Sequence, residues 1–189
     1  MHQPPVLMLI DLQMAILHPK WGVRNNPQAE ERIGALLAFW RAHGWPVWHV
    51  AHDEPNPKSS YHTHGPGNAF RPEFVPQAAE IVIRKSVNNA FIGTGLEDKL
   101  RAGGHDRLVV AGVITNNSVD ATVRMAGNLG FDTILVADGC YTFGRRDWNG
   151  RDWSAEDVHA LSLANLDGEY CRVVAAEPLL AELSGGQRR

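Results

Sequence analysis

Apolar residues fall along this chain in two kinds of run. Short, nearly unbroken runs rich in Val and Ile occupy Val6–Asp11, Val47–Ala51, Ile81–Arg84, Leu108–Val113, Thr133–Ala137 and Arg172–Ala175. They lack the alternation of a half-exposed sheet, so they predict strands of a parallel sheet covered on both faces. Between them apolar positions recur at helical spacing. Gln28–His43 carries Ile33, Leu36, Leu37 and Trp40 on one face, with Gly44 and Pro46 as its stop. Thr94 and Glu97 have capping-box spacing at the head of Gly95–Ala102. Ser118–Leu129 runs into Gly130, and Ser154–Leu166 opens on a capping serine with Asp157 three residues on. A short helix is expected after Pro178, and Ser184–Arg189 reads as a frayed tail. Strand and helix alternate throughout, which predicts a three-layer α/β/α fold: a doubly wound, Rossmann-like, six-stranded parallel sheet. No linker or composition shift interrupts residues 1–189, so a single domain is expected.

Two stretches break the rhythm. Asp53–Gln77 holds five prolines and the run His62, Thr63, His64, Gly65; Gly139–Trp153 holds three arginines with Trp148 and Trp153. Loops this long in a compact domain are usually lids or subunit contacts. Charge narrows the partners: eighteen Lys and Arg against twenty-one Asp and Glu give a net −3, without the basic footprint of a nucleic-acid binder. No apolar run is long enough to cross a bilayer, no basic-then-apolar leader is visible, and two cysteines, Cys140 and Cys171, make no disulfide framework. A cytoplasmic protein that binds a small molecule, without nucleic acid or membrane, is therefore expected.

Ligands of such sheets sit beyond the carboxyl ends of the strands. Asp11 follows the first run directly, and a carboxylate there is costly to desolvate unless paired or used. Gln13 can point into the same cleft. Lys85 ends the third run and can either pair with Asp11 or snorkel outward. In Val110–Arg124 a strand end, a polar turn and a helix start follow one another, with Ser118 at the positive end of the helix dipole. The backbone donors there suit an oxyanion; Asn116, Asn117 and Ser118 serve equally as caps. His52, Asp53, His62 and His64 read as exposed loop residues because no closed metal-ligand set can be assembled from them. No metal and no cofactor is expected.

Four ordered blocks, Ile10–Gln13 (IDLQ), Lys85–Glu97 (KSVNNAFIGTGLE), Gly112–Phe131 (GVITNNSVDATVRMAGNLGF) and Val136–Phe143 (VADGCYTF), together resemble the isochorismatase-like cysteine hydrolase superfamily. The resemblance implies a six-stranded parallel sheet with helices on both faces. It also implies hydrolysis of amide or related C–N bonds in small molecules, or vinyl ether cleavage as in the isochorismatases proper. On the same ground Asp11 is the proton acceptor, Lys85 supports the charge, and Ser118 stands where the family has a nucleophilic cysteine. A cis peptide is implied between Val113 and Ile114, with the Ile114 and Ser118 amides forming the oxyanion hole.

The serine separates three readings: a Cys→Ser substitution introduced to hold substrate, a natural serine form with altered activity, or a non-catalytic binding protein in an inherited pocket. A hydroxyl stays protonated near neutral pH where a thiol beside a cation ionises, and an aspartate is a poor base for an alcohol. Neither Cys140, expected just past the fifth strand, nor Cys171 stands in for it. Trp21, Asn88, Phe91, Asn117, Trp148 and Trp153 are candidate substrate-binding residues. The aromatics and arginines of the two loops predict a homo-oligomer, and the resemblance implies a homodimer or homotetramer.

Overall fold

A computed structural model describes residues 3–186. Six strands, β1 (Val6–Ile10), β2 (Val47–His52), β3 (Ile81–Lys85), β4 (Arg107–Val113), β5 (Asp132–Tyr141) and β8 (Arg172–Val174), form one parallel sheet in the order β3-β2-β1-β4-β5-β8. The order reverses between β1 and β4, so a crevice opens at their carboxyl ends. Every residue of β1 is buried, as expected of a strand with helices on both sides. Helices α1 (Ala29–Ala42) and α5 (Ala176–Gly186) cover one face, where Ile33, Leu36, Trp40 and Leu179 pack on Leu7 and Leu9. The other face carries α2 (Leu96–Ala102), α3 (Asp120–Asn128) and α4 (Ala155–Leu166), whose Leu96, Leu100, Val123 and Leu166 share a core with Val6, Met8 and Ile10. A small antiparallel hairpin, β6 (Arg145–Arg146) and β7 (Asp152–Trp153), precedes α4.

Gly112 lets the two central strands meet. At φ +129°, its added Cβ would stand 2.3 Å from the Ile10 carbonyl oxygen, so no other residue fits at that point without moving the backbone. One residue further on, the Val113–Ile114 bond is cis.

The structure departs from the expected elements in five places. At the sheet edge, Ile81 and Val82 of β3 are 39% and 38% exposed, so that strand is not covered on both faces. β5 runs past Ala137 to Tyr141 because its ladder with β4 shifts register between Val110 and Gly112 and resumes at Gly112↔Cys140. Cys140 thus lies inside the strand, fully buried. No capping box forms at α2: Gly95 is the N-cap, Thr94 Oγ1 accepts from the Leu96 amide (3.2 Å), and Glu97 pairs with Arg101. Ser118 does not open α3, which begins at Asp120; it lies in a wide π-type turn, Thr115–Val119, whose Val119 amide reaches back to the Ile114 carbonyl. α5 carries Ser184–Gly186 of the expected tail, and residues 187–189 lie outside the described residues.

Candidate active site

Three strand ends and one turn converge. Asp11 leaves β1 at φ +54°, a left-handed conformation rare outside glycine, and its amide is bonded to the Val50 carbonyl of β2 (2.9 Å). Lys85 is the last residue of β3, and its side chain is fully buried. The Lys85 Nζ donates to Asp11 Oδ2 (2.8 Å) and to Ser118 Oγ (3.2 Å), and stands 3.2 Å from His52 Nδ1. A buried ammonium is tolerable only if it is paired and its donors are used. Burial pushes the Asp11 carboxyl above the ordinary carboxylate range, outweighing Lys85 and Ser118, which pull it down. Its second oxygen, Oδ1, is buried with no hydrogen-bond partner among the described residues. An acceptor left open at the heart of a polar cluster is a place for a proton or a ligand donor.

The turn that carries Ser118 is braced residue by residue. Thr115 Oγ1 bonds His159 Nδ1 of α4 (2.9 Å), Asn116 Oδ1 accepts from the Thr142 hydroxyl, and Asn117 Oδ1 accepts from Asn88. Three consecutive side chains are thus gripped by three separate parts of the chain, which leaves Ser118 little freedom.

Asp11, His52, Tyr61, Ile114, Asn117 and Ser118 face a cavity of about 160 Å³, walled also by Lys20, Trp21, Ser59 and Asn88. Larger hollows of about 470 and 480 Å³ lie beside it and share Ser59 and Trp21, respectively, but the polar cluster opens only into the small one. Its size is below the ~300–1,000 Å³ usual for drug-sized ligands; it fits a small molecule, or one end of a larger one.

Of the residues singled out in the sequence, Asp11, Lys85 and Ser118 come together, and Ile114, Trp21, Asn88 and Asn117 line the cavity beside them. Gln13 does not face it. Its amide is spent on the carbonyls of His52 (3.0 Å) and Asn68 (2.9 Å) and on the His52 amide (2.7 Å). Phe91 packs on Phe131 at 5.8 Å between centroids, Trp153 lines a separate hollow against α4, and Trp148 is 92% exposed. His52, a loop histidine by its sequence pattern, ends β2, opposite Lys85 in the ladder. Ending the second strand one residue later would have exposed it to the same strand-end rule that picks Asp11 and Lys85. Tyr61, Lys20 and Ser59 carried no sequence signal. Among the described residues no three His, Cys, Asp or Glu side chains meet as a metal site, and no helix is long and apolar enough to cross a membrane. Burial pushes both thiols, Cys140 and Cys171, up to about 12, so neither is a nucleophile at neutral pH.

Comparison with known proteins agrees with this architecture. The family model described as the isochorismatase domain matches residues 5–177. The crystal structure of a protein from Chromobacterium violaceum ATCC 12472, assigned to the hydrolases of that family, superposes with a TM-score of 0.93 at 57% identity, covering 96% of this chain and 94% of the other. The uncharacterized isochorismatase family protein YrdC of Bacillus subtilis is 38% identical over 180 residues, 95% of this chain and 96% of its own. Maleamate amidohydrolase of Pseudomonas putida is 32% identical over 115 residues, 61% of this chain and 49% of its own.

Proposed function

The chain belongs to the isochorismatase family of hydrolases, and we propose that its own reaction is hydrolysis of a C–N bond in a small amide, lactam or ureide. The observation that carries this reading is the single ammonium, Lys85 Nζ, bonded at once to a carboxylate and to the hydroxyl on the turn. The amidohydrolase among the relatives points to the same bond class. Residue 118 attacks the carbonyl carbon while Asp11 takes its proton; burial makes this carboxylate a stronger base than an ordinary one. The oxyanion rests on the Ile114 and Ser118 amides. The C–N bond breaks as Asp11 returns the proton to the leaving nitrogen, and water then releases the acyl group as a carboxylic acid.

With serine at 118 the first step is slow, because Lys85 and Asp11 favour a thiolate far more than an alkoxide. Ser118→Cys therefore raises turnover of a panel of small amides and ureides and produces a thioester visible by mass spectrometry. No turnover and no thioester in that variant would sink the amide reading; tight binding without turnover would leave a small-molecule binding protein.

One observation favours a second reading. The open Asp11 Oδ1 and the raised carboxyl suit a general acid, which is what vinyl ether cleavage needs, with no nucleophile at 118. Hydrolysis of chorismate-derived vinyl ethers that survives Ser118→Ala would establish it.

A further inference from the structure

We propose that His52 is a positioning residue for Lys85, its ring Nδ1 accepting the third N–H of the ammonium whose other two go to Asp11 and Ser118. An ammonium has three donors and no acceptor, and the three atoms around Lys85 Nζ, at 2.8, 3.2 and 3.2 Å, can take one each. The ring then carries its proton on Nε2, which looks toward the Glu54 carboxylate 4.0 Å away. This fixes the direction of Lys85: with His52 in place, every N–H has a set target, one of them the Ser118 oxygen.

His52 is held through its backbone and through its ring. The Gln13 side chain takes the His52 amide and donates to its carbonyl, Asn68 donates to the same carbonyl (3.1 Å), and Tyr61 meets the ring edge-on at 5.5 Å between centroids. This gives the buried Gln13 a purpose. It makes β2 end in a rigid acceptor.

The groups that set the charge of His52 are Lys85 from β3, Asp11 from β1, and Glu54 and Asp53 just after β2. Burial and then Lys85 hold the imidazole below its ordinary value, and the three carboxylates do not offset them. His52 is neutral near pH 7. Protonation in acid removes the acceptor and sets a second cation beside the first, so Lys85 releases its hold on residue 118.

The inference concerns the site proposed above, but its test uses no substrate, so the two fail separately. In the Ser118→Cys background, the introduced thiol is alkylated with iodoacetamide across the pH range; the other two thiols, pushed up to about 12, stay silent. Lys85 gives that thiol a midpoint below the ~8.5 of a free cysteine. Adding His52→Ala slows alkylation at neutral pH about tenfold, the scale of one lost hydrogen bond to a charged group, and His52→Asn, a neutral acceptor, restores most of it. A second measurement needs no variant at position 52: by nitrogen NMR of the ring, His52 carries its proton on Nε2, and Lys85→Met moves its titration upward. An alkylation profile unchanged by His52→Ala, or a His52 titration unchanged by Lys85→Met, overturns the proposal.

Discussion

The two long loops both carry aromatics and glycine but have opposite fates. Asp53–Gln77 folds down on the strand ends, burying Tyr61 and Phe74 and supplying Ser59 and Tyr61 to the cavity. The hairpin after Phe143 stands away, with Trp148 92% exposed. Both carry aromatics, glycine and at least one arginine, so these do not decide it. The difference lies in where the polar groups are answered. The first loop is bonded to distant elements: the Met14 amide to the Ala69 carbonyl (2.8 Å), the Arg71 amide to the Leu12 carbonyl (3.0 Å), and Asn68 to His52. The hairpin answers itself, with the Asp147 carboxylate accepting from the Asn149 and Arg151 amides and from Trp153 Nε1. A loop is seated by partners elsewhere in the chain.

The largest effect therefore comes from removing such a partner. Gln13→Ala leaves the His52 amide and the carbonyls of His52 and Asn68 each short of a bond at buried or part-buried positions, and costs about 3 kcal/mol, since a buried polar group left unmet costs ~1–3 kcal/mol. Urea unfolding measures it. A loss below about 1 kcal/mol would mean that the aromatics alone seat the loop.

That dependence also explains what could be read in the sequence. The six strands of the main sheet were legible as unbroken apolar runs and the long helices as a repeated apolar period; Asp11 and Lys85 stood out as charges at strand ends, but by position alone Lys85 could as well snorkel and Ser118 cap a helix, and only the resemblance of the four blocks joined the three. Gln13 looked like a cleft residue, being two positions from Asp11; that its amide is consumed by β2 and by Asn68, fifty-five positions away, has no local signature. Tyr61 and Ser59 reach the cavity only because residues far from them close the loop. The β5 register shift, which draws Cys140 into the sheet, arises from the ladder with β4 and not from the residues of β5 alone.

A smaller effect separates the loops by pH. Glu30 on α1 holds Arg71 at the end of the first loop, together with Arg24, and those hydrogen bonds override the burial that would raise it, lowering its carboxyl from 4.5 to about 2. Since the folded value lies below the unfolded one, this stabilisation is complete above about pH 4.5 and drains away as pH falls toward about 2. It amounts to about 2 kcal/mol after allowing for partial exposure. Acid titration of native Glu30→Gln should show a flatter loss of stability over that window than the parent. Curves of equal slope would mean that the pair does not anchor the loop.

The smallest effect on the single chain is expected at Trp148, and there the comparison can be turned around. A side chain this exposed makes few contacts for folding to lose, so Trp148→Ser changes unfolding stability by no more than ~0.5 kcal/mol. Aromatics and arginines are nevertheless enriched where subunits meet. Arg145, Arg146 and Arg151 lie on the same hairpin, and Leu161 of α4, beside the hollow that Trp153 lines, is 58% exposed. If the partners missing from this loop within one chain are supplied by a second copy, light scattering at micromolar concentration gives a homodimer or larger, and Trp148→Ser shifts it toward the 20.8 kDa chain. A parent protein that already scatters as a single chain would break the symmetry of the argument: the first loop would be seated by its own chain, and the second by nothing.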